Sequence, residues 1–216
     1  MTASDMLSRL SAPADIHGAP FGRDVLGFCD ALMFREGVGL YIARDDKMAA
    51  IALKLAEFFG PGLERVFLPG WDTLPYDRIS PSPGVAAARC AALARLAQRD
   101  ESAPACLVVT TAGALVQRVP PREVLRSSSL SIAAGQRINQ SELGGYLSVN
   151  GYIRTSTVAE RGEYSLRGGK VDLYPPDNAT PVRLDLFGDE VESIKSFDPE
   201  TQLSIATLTE VRLAPV

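Results

Sequence analysis

Apolar and polar residues alternate most sharply at residues 181–190, PVRLDLFGDE. On a strand, Val182, Leu184 and Leu186 point to one side, and Arg183, Asp185 and Phe187 to the other. The first set is a core face. The second ought to be solvated, yet it places a large aromatic two positions from a carboxylate and four from an arginine. The same period runs through two hairpin patterns. In EYSLR-GG-KVDLYP the Gly168-Gly169 pair is a two-residue turn signal, setting Tyr164 beside Leu173 and Leu166 beside Val171. In VRLDLF-GD-EVESIKSF the Gly188-Asp189 pair sets Leu186 beside Val191. SSSLSIAAGQ reads as a strand before these hairpins, SELGGYLSVNGY as a short helix, and Ala206–Leu213 as a last strand. That strand ends close to Val216, as in a chain cut between domains.

Before about Arg126 the pattern is different. A first helix, Val25–Phe34, is expected after the turn HGAPFGRD. VGLYIA (38–43) is an apolar run without alternation, the pattern of a strand buried on both faces. Asp45 caps the helix DKMAAIALKLAEFF, whose stripe is Met48, Ile51, Leu55 and Phe58/Phe59, with Gly60 just past its end. RVFLP (65–69) and CLVVTT (106–111) are further strands. An alanine-rich helix spans about Val85–Gln98, and AGALVQRV is a short helix ended by Pro120-Pro121. Strands alternating with helices imply a parallel sheet. The expected fold class is therefore α/β plus α+β: residues 1–125 form a parallel-sheet α/β domain, and residues 126–216 a small α+β module with antiparallel hairpins. The polar, proline-rich stretch PPREVLRSSS marks the boundary, near 122–128.

Composition narrows the function. Lys and Arg number 22 against 26 Asp and Glu, a net charge of −4. Neither half has the basic excess of a surface that neutralises many phosphates. Cys29, Cys90 and Cys106 are scattered and His17 is the single histidine, so structural zinc is not expected. The thiols read as buried residues of a reducing cytoplasm. The N-terminus lacks the apolar core of a signal peptide, and no apolar run approaches the ~20 residues of a membrane span.

Catalytic patterns are missing. A phosphate loop needs helix-start N–H groups and a lysine, as in GxxxxGK[ST]. HGAPFGRD (17–24) stands where such a loop would sit, with Gly18 and Gly22, but lacks the lysine and the hydroxyl. It reads as a Gly/Pro turn, or as a degenerate nucleotide site. GxSxG is absent, and a hydrolytic triad would have to use His17. Asp185 and Glu192 are expected to face each other across the second hairpin, more simply as a solvated acidic pair than as a catalytic one.

Three stretches resemble one family. FLPGWDTLPYDRISPSPG matches the W-[DE]-T-L-P-Y-[DE] signature of the transcription-repair coupling factors, the Mfd family. LVVTTAGALVQRVPP matches the strand and helix that follow it there. AERGEYSLRGGKVDLYPPDNATPVRLDLFGDEVESIKSFDPETQ resembles the hairpin module that this family shares with the excision-repair protein UvrB. The resemblance covers nearly the whole chain and is weakest over residues 1–35.

The resemblance implies a non-catalytic, UvrB-like N-terminal region in which residues 1–125 carry a degenerate phosphate loop and residues 126–216 bind UvrA. Family members are ATP-dependent DNA translocases that displace stalled RNA polymerase. ATP, Mg, RNA polymerase and duplex DNA would engage parts outside this chain, and the setting would be cytoplasmic, with no membrane. Family residues that bind UvrA match Arg167, Arg183 and Phe187. Strand geometry agrees for Arg183 and Phe187, which share a side. Arg167 lies at the shoulder of the neighbouring hairpin. On residues alone the opposing possibility is that Phe187 packs under a loop and both arginines pair with Asp185 or Glu190. Trp71 and Tyr76 are expected to cover a sheet edge. A nucleotide-binding α/β hydrolase domain and a UvrB-like DNA-binding fragment are the competing functions.

Overall fold

The computed structural model describes residues 18, 20, 22–35, 37–74 and 76–216; His17 lies outside them. They form two compact units. The first holds the described residues up to Trp71 together with Arg99–Arg118; the second holds Asp72–Gln98 and Val119–Val216.

In the first unit, α1 (Arg23–Arg35), β1 (Val38–Ala43), α2 (Asp46–Phe59), β2 (Glu64–Leu68), β3 (Cys106–Thr111) and the short α4 (Ala112–Leu115) follow in order. The strands form a parallel sheet of order β1-β3-β2. Val25, Cys29 and Leu32 recur at helical spacing on α1 and are buried against the sheet residues Leu107 and Val109. Asp45 caps α2, its Oδ1 accepting the Met48 N–H at 2.8 Å. The deepest positions of α2 are Ala49, Ala52 and Ala56 rather than the larger stripe expected; Phe58 points to solvent. Small residues there leave room for the helix to lie close to its neighbours. The expectation for VGLYIA is also corrected. β1 is an edge strand, and Val38, Leu40 and Ile42 are exposed while Ala43 is buried. Its other side approaches α1 so closely that a Cβ on Gly39 would stand 2.7 Å from the Phe28 ring.

The second unit contains α3 (Pro83–Gln98), α5 (Arg122–Ser127), β4 (Leu130–Ala133), α6 (Gln140–Val149), β5 (Ile153–Arg154), β6 (Glu163–Arg167), β7 (Lys170–Leu173), β8 (Val182–Phe187), β9 (Glu190–Phe197), β10 (Ser204–Leu208) and β11 (Glu210–Leu213). The stretch read as a polar boundary is the helix α5, which starts just after Pro121, a residue well placed before a first turn. Arg122 and Arg126 each donate from Nε to the Ala97 carbonyl at 2.8 Å, completing the C-terminal end of α3. Thus α3, which strand–helix alternation groups with the parallel sheet, belongs to the second unit.

Six strands run in the order β10-β9-β8-β7-β6-β5, antiparallel except for the β5–β6 pair. The expected registers hold: Tyr164 faces Leu173, Leu166 faces Val171, and Leu186 faces Val191. One face of this sheet is the core, where Val171, Leu173, Val182, Leu184, Val191 and Ile194 bury against Leu143 and Leu147 of α6. The single last strand expected is two. β10 extends the six-stranded sheet and β11 pairs with β4. Trp71 is partly exposed and Tyr76 is 96% exposed, so Tyr76 does not cover a sheet edge.

Candidate functional site

The two hairpins bring their turns to one end of the sheet. Gly168 takes φ +58° and Gly188 φ +61°, conformations that a Cβ disfavours. Gly169 is needed for a different reason: a Cβ there would lie 2.6 Å from the Leu186 carbonyl oxygen. The gap is closed by the Leu186 N–H donating to the Gly169 carbonyl at 2.7 Å. Arg167, at the end of β6, and Phe187, at the end of β8, therefore stand beside adjacent turns.

Opposite the core face, the sheet carries a small charged and aromatic surface. Phe187 is 81% exposed. The Arg183 side chain is 17% exposed and that of Arg167 56%. Neither arginine pairs with Asp185 or Glu190. Both reach Asp172, the residue directly across from Arg183 on β7. Asp172 Oδ1 accepts Arg183 Nε at 2.6 Å, and Oδ2 accepts Arg183 Nη2 at 2.9 Å and Arg167 Nη2 at 3.1 Å. The two-pronged contact to Arg183 is the geometry for which a planar guanidinium is suited. The Arg183 guanidinium carbon also lies 4.8 Å from the centroid of the Phe197 ring, which is fully buried. Hydrogen bonding to Asp172, and its charge, hold the Arg183 guanidinium above its already high ordinary value.

The second carboxylate of this face is occupied separately. Asp185 Oδ2 accepts Lys195 Nζ at 2.9 Å and Ser193 Oγ at 2.8 Å. Burial pushes the Asp185 carboxyl up, but those two hydrogen bonds and the Lys195 and Lys170 charges outweigh it, and the group sits below the ordinary carboxylate value. The expected Asp185–Glu192 pair does not form. The register shifts between Asp185 and Leu186, so Ser193 faces Asp185, Val191 faces Leu186, and Glu192 is the extra residue of a bulge.

Sequence reasoning missed Asp172. The signal was present, since Asp172 alternates with Val171 and Leu173 and so shares the face of Arg183. What the pattern lacked was the β7–β8 register that sets Asp172 opposite Arg183.

The two glycines expected to mark a degenerate nucleotide site belong to the first unit. Among the described residues nothing comes within 4 Å of a Cβ placed on Gly18 (φ +72°), and Gly22 (φ +83°) is buried, a Cβ there meeting Leu55 at 3.2 Å. Gly22 accepts the Leu26 N–H at 3.1 Å at the start of α1. In the first turn, Asp24 accepts a hydrogen bond from the Tyr41 hydroxyl at 2.6 Å. Burial first, and then the Asp24 hydrogen bond and charge, push the Tyr41 phenol up. A carboxylate in that first turn occupies the end of the helix where an anion would otherwise be favoured. Among the described residues no group of three or more His, Cys, Asp or Glu could hold a metal ion, and no helix is long and apolar enough to cross a membrane.

Residues 130–216 match the family described as the UvrB interaction domain. Over most of its length the chain is similar to proteins named transcription-repair-coupling factor. It is 35% identical over 195 residues to that of Haemophilus influenzae, covering 90% of this chain and 16% of the relative. For Escherichia coli the figures are 33% over 148 residues, 68% of this chain and 12% of the relative. For Bacillus subtilis they are 39% over 134 residues, 62% of this chain and 11% of the relative. The chain thus spans less than a fifth of the length of these relatives.

Proposed function

The chain belongs to the transcription-repair coupling factor family and carries a UvrB interaction domain over residues 130–216, and from that premise we propose that the face bearing Arg167, Arg183 and Phe187 docks UvrA. The observation that carries this is the exposure of Phe187. A phenyl ring left in water at a sheet end, beside a half-exposed guanidinium, is an unused contact surface. Aromatic and arginine side chains are the groups that concentrate binding energy in interfaces. The face offers a rigid ring for an apolar pocket and outward N–H donors for an acidic one.

In this role the chain works as a docking module rather than as a catalyst. ATP, Mg, RNA polymerase and duplex DNA belong, on this proposal, to other parts of the coupling factor, and the protein acts in the cytoplasm in transcription-coupled excision repair. Gly18 and Gly22 mark a degenerate nucleotide site that no longer holds a phosphate. The direct test is size-exclusion chromatography of the 216-residue chain mixed with UvrA. Co-elution as a complex is expected. Separate elution at micromolar concentrations of both proteins would overturn the proposal.

A further inference from the structure

Asp172 is the least exposed charged group of the docking face. It sits in the middle of β7 between the fully buried Val171 and Leu173, and only 2% of it is accessible. A carboxylate so placed is stable only if its lone pairs are satisfied, and three N–H groups do this, two from Arg183 and one from Arg167. The two arginines are not equivalent. Arg183 is held at its edge by Asp172, across its plane by Phe197, and at Nη1 by the Gln202 carbonyl at 3.4 Å. Arg167 is held by one hydrogen bond and keeps more than half of its side chain in solvent. Asp185 does not compete, being taken up by Lys195 and Ser193. Two guanidinium groups on one carboxylate leave the cluster with a single net positive charge, and its accessible part is on Arg167. Lys170, exposed and cross-strand from both Arg167 and Asp185, adds to it.

Resting on the docking reading above, we infer that Asp172 is the positioning residue of this face: its one carboxylate fixes both guanidinium groups, so that Arg167 meets an acidic group of the partner while Arg183 acts through Asp172. Fixing a long side chain in advance removes the ordering cost that it would otherwise meet on binding. It also explains why a buried carboxylate lies in a surface that is to receive an acidic partner, where charge alone would disfavour it.

Asp172→Asn separates the two roles. The substitution keeps the shape, raises the net charge of the face by one and replaces one acceptor oxygen with an NH2 donor, so that the side chain can no longer hold both guanidinium groups. If Asp172 merely offset charge, the variant would associate with UvrA faster and bind as tightly or more tightly. As a positioning residue its loss weakens binding by about tenfold or more, through faster dissociation and without slower association. Surface plasmon resonance at several salt concentrations reads both rates, with circular dichroism confirming the fold. The unmodified chain gives a second readout, the side-chain Nε–H signals of its arginines in NMR. The Arg183 signal should exchange slowly in the free chain and stay in place when UvrA is added, whereas the Arg167 signal should move. Binding by Asp172→Asn equal to that of the unmodified chain overturns the inference and leaves the docking reading intact, as does a fast-exchanging Arg183 signal. Failure of the unmodified chain to bind UvrA overturns both.

Discussion

Replacing Phe187 with alanine removes the ring from the proposed interface while leaving the fold alone. An aromatic side chain buries roughly 150–250 Å² when fully covered, and Phe187 is 81% exposed. Roughly 120–200 Å² therefore remains for a partner to cover, and at about 25 cal/mol per Å² this gives an upper bound of about 3–5 kcal/mol. Alanine keeps its Cβ contact and the partner pocket relaxes, so the expected loss is about 2–3 kcal/mol, in the range of an interface hot spot. The dissociation constant should rise roughly 30- to 150-fold. Stability should change by no more than about 0.5 kcal/mol, because the ring makes little contact in the free chain. Isothermal titration calorimetry of UvrA with the two proteins gives the first quantity, and urea denaturation gives the second. An affinity within threefold or so of the unmodified chain, with an unchanged urea midpoint, would refute the assignment of Phe187 to the interface.

Three further outcomes are expected. Gly169→Ala should destabilise the second unit by about 1–3 kcal/mol, since its Cβ would meet the Leu186 carbonyl oxygen at 2.6 Å and one hairpin must shift; an unchanged urea midpoint would contradict the close approach. Asp185 has its folded value below the ordinary carboxylate value of about 3.9. Its contribution to stability is therefore fully present above that pH and is lost as pH falls through the lower folded value. Urea midpoints measured between pH 6 and 2 should fall less steeply for Asp185→Asn than for the unmodified chain, and parallel curves would show that the Lys195 and Ser193 contacts are without effect. Finally, Mg-ATP should leave the melting temperature of the chain unchanged, because Asp24 stands in the first turn of α1 where a phosphate would bind; a concentration-dependent rise would restore the nucleotide-binding function.

The elements of this protein were legible wherever the physics is local. Period-two alternation at 182–187 and 163–173 separated core from far face, and the Gly-containing dipeptides fixed the hairpin registers, because side-chain direction and turn conformation depend only on neighbouring residues. Asp45 announced its helix for the same reason. Tertiary structure decided what depends on a partner distant in sequence. VGLYIA is apolar throughout, but whether both of its faces are covered depends on its place at the edge of the β1-β3-β2 sheet. On α2, alanine rather than the larger residues takes the deepest positions, because closeness to the sheet selects for small side chains. A bulge in β9 moved Glu192 away from Asp185. The proposed docking residues Arg167, Arg183 and Phe187 could be placed by alternation and resemblance, but how far each arginine is held was settled by Asp172 across the β7–β8 ladder and Phe197 beneath Arg183. A buried carboxylate attracts whichever cations the register brings within reach, and that register is a property of paired strands rather than of either strand alone.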